Sequence, residues 1–513
     1  MTLAPSGLGA GAVARPKRLG RAGSVLLVSC YELGHQPFSI ASPWATLGAQ
    51  GFGVEGVDAS LDALDDAAIG RAELVAVSVP MLTALRLGMG VARRVRAVHP
   101  QAHIVLFGLY ASLNAAHLLD AIADSTIGGE FEQALVDLAW AIDAKTEPLV
   151  VDGVTTRASI ASLGVVSAPV LQRLPFVVPR RDALPKLDRY AKLIGPAQGE
   201  RRVAGYVEAS RGCLHTCKHC PITPIYGGRF FVVARDVVLA DAEQQIEAGA
   251  RHLTFGDPDF LNGVRHSLEI VRALHSAHPD LTFDATIKVE HILKHRERFA
   301  ELARLGCLFI FCAFESLSDR VLSELAKGHT RADIVEALAI LEDAGIALRP
   351  SFVAFTPWTT LDDFIELCDF ILDRDLIDNV DPIQLAIRLL LPPGSALLDN
   401  ASPPPAWLGE LVAEELGYRW THPDPRMDAL FVEVTRVVDQ ATATGEDAAQ
   451  TLLRIRSAAY ASAGRKAPER ATLSARRFVP KLTEGWFCCA EPSLAQQRKV
   501  DEPRGGGSCC GSS

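Results

Sequence analysis

The chain reads as an α/β protein in three parts. An N-terminal doubly wound domain comes first, then a partial parallel (β/α)6 barrel, then a helical C-terminal region with a flexible cysteine-rich tail. Three observations predict this. Short apolar runs alternate with helix-length stretches twice over, from about residue 24 and again from about residue 202, which is the pattern of parallel sheets. A Pro-rich stretch of little periodicity separates the two series. Beyond residue 398 the alternation stops and helical periodicity takes over. A length of 513 residues exceeds one ordinary core and agrees with several domains.

Residues 1–23 are small, basic and punctuated by Pro and Gly, without the continuous apolar stretch of a signal peptide. They are expected to form a disordered leader on a cytoplasmic protein. In the domain over 24–146, Ser24–Ser29, Leu74–Pro80 and Ile104–Gly108 read as buried parallel strands, with helices over Ala84–Val98 and Phe131–Ile142. Ligands of such sheets bind at the carboxyl ends of the strands, which singles out Ser78, Gly108, Gly129 and Glu130. Residues 147–202, punctuated by Pro179, Pro185 and Pro196, read as a surface connector.

In the segment 203–398, strands are expected at Ala204–Glu208, His252–Phe255, Thr282–Ile287, Leu308–Phe314, Ala347–Phe355 and Val380–Leu389, with helices between them. Six βα units suit a partial barrel better than a closed eight-unit one, which typically takes about 250 residues. Helices are expected over Trp407–Leu416, Met427–Ala443 and Asp447–Ala463 in the region 399–471. The tail, 472–513, has no repeat pattern, and its Gly/Ser-rich end is expected to be flexible.

The net charge of −10 comes without a basic stripe, so nucleic acid is excluded as a partner. Every long apolar stretch is broken by Arg, Asp or Glu well short of a bilayer span, so no membrane partner is expected. The eleven cysteines are unevenly spread. Cys30, Cys307, Cys312 and Cys368 lie scattered among apolar residues, as inert core cysteines do. Three sit in one eight-residue window, and four form two adjacent pairs near the C-terminus. A secreted disulfide scaffold would be short and evenly cysteine-rich.

Cys213-Leu-His-Thr-Cys217-Lys-His-Cys220 has the spacing C-x3-C-x2-C and follows the expected strand ending at Glu208. Thiolates ligate iron–sulfur clusters, usually in fours. Three on one tight loop leave one iron open, and an open iron can chelate the amino and carboxylate groups of S-adenosylmethionine (SAM). Zinc is the competing reading, because His215 or His219 could complete a Cys3His site.

Residues 203–398 resemble the radical SAM superfamily. The resemblance implies a 4Fe-4S cluster on Cys213, Cys217 and Cys220, bound SAM, an electron donor such as flavodoxin or ferredoxin, and a small-molecule or metalloid substrate. His219 stands where the family usually has an aromatic beside the SAM adenine. Gly256-Asp257-Pro-Asp259-Phe260 is similar to the loop that contacts the SAM amino group. Phe314-Glu315-Ser316-Leu-Ser-Asp319-Arg320, followed by Lys327-Gly-His-Thr330, is similar to the fourth-strand signature, where Glu315 helps position SAM. Arg388-Leu-Leu-Leu-Pro-Pro-Gly394-Ser395 is similar to the end of the sixth strand. Without the resemblance, Glu315 and Arg388 read equally well as ion-paired strand-end residues.

Residues 24–142 resemble the cobalamin-binding domain that precedes many radical SAM barrels. Ser78-Val-Pro80, Gly108 and Gly129-Glu130 match its corrin and nucleotide contacts. The lower-ligand signature Asp-x-His-x-x-Gly is absent, and Gly108-Leu-Tyr110 departs from the usual Gly-Gly. A domain of this fold that binds no corrin stands beside that reading.

Cys488-Cys489 and Cys509-Cys510 close the chain. Adjacent cysteines form only a strained disulfide ring, but as dithiols they suit soft metals and metalloids. The whole chain resembles radical SAM proteins with a Cys/Sec-Cys-Ala-Glu-Pro tail. A sister group makes arsinothricin-type organoarsenicals. The resemblance implies transfer of the 3-amino-3-carboxypropyl group of SAM to trivalent arsenic held by Cys488, Cys489, Cys509 and Cys510. A redox role for these thiols, a cobalamin-dependent methyltransferase acting on a small organic metabolite, and a non-enzymatic metal or metalloid carrier are the alternatives.

Overall fold

The computed structural model describes residues 16–146, 149–163, 168–172, 175–197, 199–399, 403–469 and 476–484. Cys488, Cys489, Cys509 and Cys510 lie outside the described residues.

The N-terminal sheet has six strands: β1 (Val25–Ser29), β2 (Val54–Asp58), β3 (Leu74–Ser78), β4 (His103–Phe107), β5 (Ser125–Ile127) and β6 (Val154–Thr156). Their order is β2-β1-β3-β4-β5-β6. The first five are parallel, and β6 runs antiparallel on the edge. Both β1 and β3 are buried along their whole length, as the apolar runs predict for a sheet covered on both faces. The order 2-1-3-4-5 is doubly wound, with its switch point between β1 and β3.

Two expectations change at the ends of this domain. The stretch just before residue 24 is tied down, because the backbone N–H groups of Lys17, Arg18 and Leu19 all donate to the Asp143 carboxylate at 2.7–2.9 Å and Leu19 is fully buried. The connector is also more structured than its prolines suggest, since it supplies β6 and the strand β7 (Lys192–Ile194).

The second sheet contains β8 (Arg201–Val207). A short antiparallel pair, β9 (Ser210–Gly212) and β10 (Phe230–Val232), brackets the cysteine loop. The sheet continues with β11 (His252–Phe255), β12 (Thr282–Thr286), β13 (Cys307–Glu315) and β14 (Ala347–Phe352). Its order is β14-β13-β12-β11-β8-β7-β17, where β17 is Lys481–Leu482. Strands β8 and β11 to β14 are parallel, forming an open, curled half-barrel, while β7 and β17 add antiparallel strands at one edge.

The sixth barrel strand expected over Val380–Leu389 is reduced to a 3-10 turn over Pro382–Ala386 and a single bridge between Phe355 and Arg388. Pro382 has no N–H to give to a ladder. The side chain of Gln384 takes the ladder's place, accepting from the Phe352 N–H at 3.1 Å.

The helix expected over Trp407–Leu416 is a hairpin of β15 (Leu408–Val412) and β16 (Gly417–Trp420). Leu416 sits in the left-handed region at φ 62°, which ends any helical path there. A Cβ at Gly409 would lie 2.9 Å from the Arg419 carbonyl oxygen, so the hairpin itself requires that glycine. The remaining two helices, Pro425–Thr444 and Ala448–Ser462, match expectation. Met427, Leu430, Val434 and Leu452 from them pack with Phe355 and Phe364, so the C-terminal region shares the barrel core. No helix among the described residues is long and apolar enough to cross a membrane.

Candidate functional site

The carboxyl ends of both sheets face one another across a cavity of about 400 Å³, within the usual range for small-molecule sites. From the N-terminal sheet come Glu32 and Leu33 after β1, Pro80 and Met81 after β3, Gly108 to Tyr110 after β4, and Gly129 and Phe131 after β5. From the barrel come all three loop cysteines, Gly256, Asp259, Thr286, Lys288, Glu315 and Lys327.

Arg211 ties the two halves together one residue before Gly212-Cys213. Its guanidinium reaches Glu130 (3.1 Å) and Glu132 (2.7 Å) of the N-terminal domain and Glu208 (2.9 Å) of the barrel. Phe38, Phe131 and Phe176 pack their rings around it at 4.9–5.4 Å. All four charged side chains are buried or nearly so.

The cysteine loop is fixed by its own backbone. Cys213 donates to the Arg229 carbonyl at 3.0 Å, Cys220 to Cys217 at 3.1 Å, and the Thr223 hydroxyl to the Cys217 carbonyl at 2.8 Å. All three cysteines line the cavity and none is in a disulfide. Among the described residues, the metal-ligating atoms that converge to within 4.8 Å of one another are those of His215, Asp259 and His291, not the cysteines. A tetrahedral zinc with bonds of ~2.3 Å would draw its thiolates to about 3.8 Å apart. A cubane binds each thiolate to a different iron and holds them wider, and three cysteines on one loop are the donor set such a cluster takes.

Glu315 ends β13 at φ 63°, a left-handed conformation that costs a non-glycine residue about 1–2 kcal/mol. The turn aims its carboxylate at Lys327 Nζ (3.2 Å) and His219 Nε2 (3.1 Å). Burial raises the Glu315 pKa, but Lys327 and then His219 outweigh it and hold the carboxyl at about 2. A fixed anion, an imidazole and a buried ammonium thus stand beside Cys217 and Cys220. The His219 Nδ1 and Thr286 Oγ1 atoms line this part of the cavity without a hydrogen-bond partner. Orphaned buried polar atoms of this kind fit the ribose, adenine and amino-acid groups of SAM. Gly256 lies against Tyr206, whose hydroxyl would be 1.9 Å from a Cβ there.

Other predicted site residues are employed elsewhere. Asp257 is fully buried and accepts from the Ala209 N–H (2.9 Å) and the Ser210 hydroxyl (2.6 Å), bracing the start of the loop instead of facing a ligand. Burial pushes its carboxyl up to about 7 against those hydrogen bonds. Ser316 accepts from the Ser318 N–H at 3.1 Å. Arg388 pairs with Asp428 at 2.8 Å and lies over the Trp420 ring, so its guanidinium serves the packing of the C-terminal region. Glu130 is held by Arg211 and by the Tyr226 hydroxyl at 2.8 Å, away from the cavity. Ser78 is buried beneath the cavity edge.

Sequence reasoning passed over Glu32 and Lys288. Each follows a strand that was identified, so strand ends were the usable signal. Glu32 is held by Ser39, and burial raises its carboxyl to about 7 despite that bond. The N-terminal wall offers a corrin apolar faces from Leu33, Met81, Leu109 and Tyr110, and no histidine among its cavity-lining residues. These residues would suit the apolar face of a corrin.

The profile of the Radical SAM superfamily matches residues 207–371, which contain the cysteine loop and β11 to β14. The ribosomal protein uS12 methylthiotransferase RimO of Citrifermentans bemidjiense is 26% identical over 196 residues, covering 34% of this chain and 41% of that protein. An uncharacterized methyltransferase of Pyrococcus horikoshii is 22% identical over 243 residues, covering 47% of this chain and 50% of its own length. The chain therefore spans about two fifths to half the length of these curated relatives.

Among solved structures, the cobalamin-dependent S-adenosylmethionine radical enzyme OxsB, with aqua-cobalamin and S-adenosylmethionine bound, has a TM-score of 0.65 at 15% identity, covering 82% of this chain and 67% of its own. The radical S-adenosylmethionine methyltransferase TsrM from Kitasatospora setae has a TM-score of 0.60 at 19% identity, covering 74% and 76%. At these identities the likeness is one of fold. Residues 207–371, with the cysteine loop among them, match a radical SAM domain, which implies a 4Fe-4S cluster and SAM.

Proposed function

We propose that the chain is a SAM-cleaving group transferase that works in the cavity between its two sheets, with a corrinoid against the N-terminal wall and a small-molecule acceptor between that wall and the cluster loop. The observation that carries this reading is the shared cavity. Carboxyl-end loops of a doubly wound domain and the three cysteines line one space, so a group leaving SAM travels only across that space. A reduced 4Fe-4S cluster supplies the electron that breaks a C–S bond of SAM. The residues of the chain do the rest: Glu315, His219 and Lys327 orient SAM, and the apolar N-terminal wall excludes water. Methyl or methylthio transfer is the type of reaction named for the relatives. Ferredoxin or flavodoxin supplies the electrons.

The second reading, 3-amino-3-carboxypropyl transfer to trivalent arsenic, draws support from the place of Glu484. The Tyr31 hydroxyl donates to the Glu484 carboxylate at 2.9 Å, and the next two residues, Glu32 and Leu33, line the cavity. Cys488 is four residues further on, at most about 14 Å along an extended chain.

Anaerobic reconstitution with SAM and a reductant, followed by mass spectrometry with and without arsenite, separates the two. Copurified or retained corrinoid, with S-adenosylhomocysteine and a methylated acceptor, supports the first. An arsenic–carbon product with 5′-methylthioadenosine supports the second and removes the first. An enzyme that retains no corrinoid and gives only 5′-deoxyadenosine, with or without arsenite, removes both.

A further inference from the structure

We propose that His215, Asp259 and His291 form a second metal site, a two-histidine, one-carboxylate centre for a divalent zinc-class ion in the cavity wall. Asp259 Oδ2 lies 3.2 Å from His215 Nε2 and 2.8 Å from His291 Nδ1, and the three atoms fall within 4.8 Å of one another. Ligands ~2.0–2.1 Å from a common ion stand about 3 Å apart, so these two edges already have the length a metal imposes.

The second observation is that the three atoms meet one another and no other hydrogen-bonding group. His215 Nε2, His291 Nδ1 and Asp259 Oδ2 are all buried polar atoms left unsatisfied, although the residues are 1% exposed at Asp259 and 7% at His291. One cation would satisfy all three atoms at once.

The surroundings are those of a metal ligand set. The other Asp259 oxygen accepts from the Leu261 N–H at 3.1 Å and caps the turn Phe260–Gly263, which fixes the carboxylate's orientation. Lys288 Nζ donates to His215 Nδ1 at 3.2 Å; with an ion on Nε2 the ring proton would sit on Nδ1, where Glu290 Oε2, 3.3 Å away, would accept it. That carboxylate–histidine–metal relay holds the ring and its tautomer. Lys288 pairs with Glu290 and lies 3.2 Å from His215 Nδ1, and its charge offsets part of the anionic set. Two imidazoles and one carboxylate suit zinc, ferrous iron or manganese better than a hard ion such as calcium. His215 and Asp259 line the cavity, so the ion's open positions face the space where an acceptor binds. A substrate carboxylate, hydroxyl or thiolate is the class of group it would anchor. This site does not depend on which group is transferred.

The test uses the full-length, cluster-loaded protein with the four tail cysteines changed to serine, so that they contribute no zinc. After equilibration with Zn²⁺ and gel filtration, zinc, iron and labile sulfide are counted per chain. One zinc per chain is expected, falling to less than a tenth of that in Asp259→Asn and His291→Gln with iron and sulfide unchanged. Glu290→Gln is expected to weaken zinc binding about tenfold. No zinc in the parent, or the same zinc in Asp259→Asn, overturns the site. Loss of zinc, iron and sulfide together in Asp259→Asn, with all three intact in His291→Gln, also overturns it, because Asp259 would then only brace the cluster loop. None of these outcomes bears on SAM cleavage, which is read separately from the iron and sulfide counts and the products.

Discussion

Arg211→Met is the most informative perturbation of the frame that holds the site together. The substitution keeps much of the side chain's volume among Phe38, Phe131 and Phe176 and removes the charge shared by Glu130, Glu132 and Glu208. Removing one partner of a buried ion pair costs about 3–5 kcal/mol, because the other charge is stranded. With a urea dependence of roughly 3 kcal/mol/M, that moves the unfolding midpoint down by about 1–1.7 M. Burial already raises the Glu130 and Glu208 carboxyls, and Arg211 offsets only part of that. Without it their folded pKa values rise further, so the variant recovers stability as pH falls and they take up protons. Tryptophan fluorescence in urea at pH 6 and pH 8 reads both effects. Arg211→Met with Glu130→Gln and Glu132→Gln is expected to regain most of the loss. A midpoint unchanged in the single variant, or a triple variant no better than the single, refutes the view that this cluster clamps the two domains.

Cys217→Ala is expected to abolish the broad visible absorption and labile sulfide of the cluster and reduce SAM cleavage below detection, while the circular dichroism of the fold persists. Glu315→Gln strands the buried Lys327 ammonium and releases His219, and is expected to weaken SAM binding by 10- to 100-fold in equilibrium dialysis with iron content unchanged. Asp257 titrates at about 7 when folded against an ordinary 3.8, so the unfolded chain ionises first and the wild type loses stability as pH rises from about 4 to 7. The shift is worth about 4 kcal/mol at most, and Asp257→Asn is expected to flatten that part of the urea-midpoint profile. The tail variant Cys488→Ser/Cys489→Ser is expected to load its cluster normally, and only the product spectrum distinguishes a role in the reaction from none.

Much of the fold was legible because parallel strands buried on both faces announce themselves as apolar runs. β1, β3, β4, β11 and β12 fall where Ser24–Ser29, Leu74–Pro80, Ile104–Gly108, His252–Phe255 and Thr282–Ile287 predict them. The cysteine spacing exposed the cluster loop, since ligand spacing is a local property. What failed was non-local. Trp407–Leu416 has helical periodicity, but its apolar residues pack as a hairpin whose Trp420 indole donates to the Leu389 carbonyl at 2.8 Å. Arg388 and Glu130 sit at the right strand ends, yet their partners, Asp428 and Arg211, are 40 and 81 residues away in sequence. A charged residue at a strand end is equally a ligand contact or an ion pair until its partner is placed. The same holds for His215 and His291, which no spacing rule joins and which Asp259 brings together.

The two-residue strand Lys481–Leu482 also bears on how the C-terminal cysteines can be studied. It covers β7 from Leu193 to Ile194, and the Thr483 hydroxyl and backbone extend the seam through Lys192. A chain cut anywhere before residue 481 would lose its terminal thiols and bare a strand edge together, and bare edges pair with other molecules. Aggregation of such a truncation would then pass for a catalytic defect. A stop codon after Glu484 removes the thiols and leaves that strand in place, and it is the deletion whose kinetics speak to the tail.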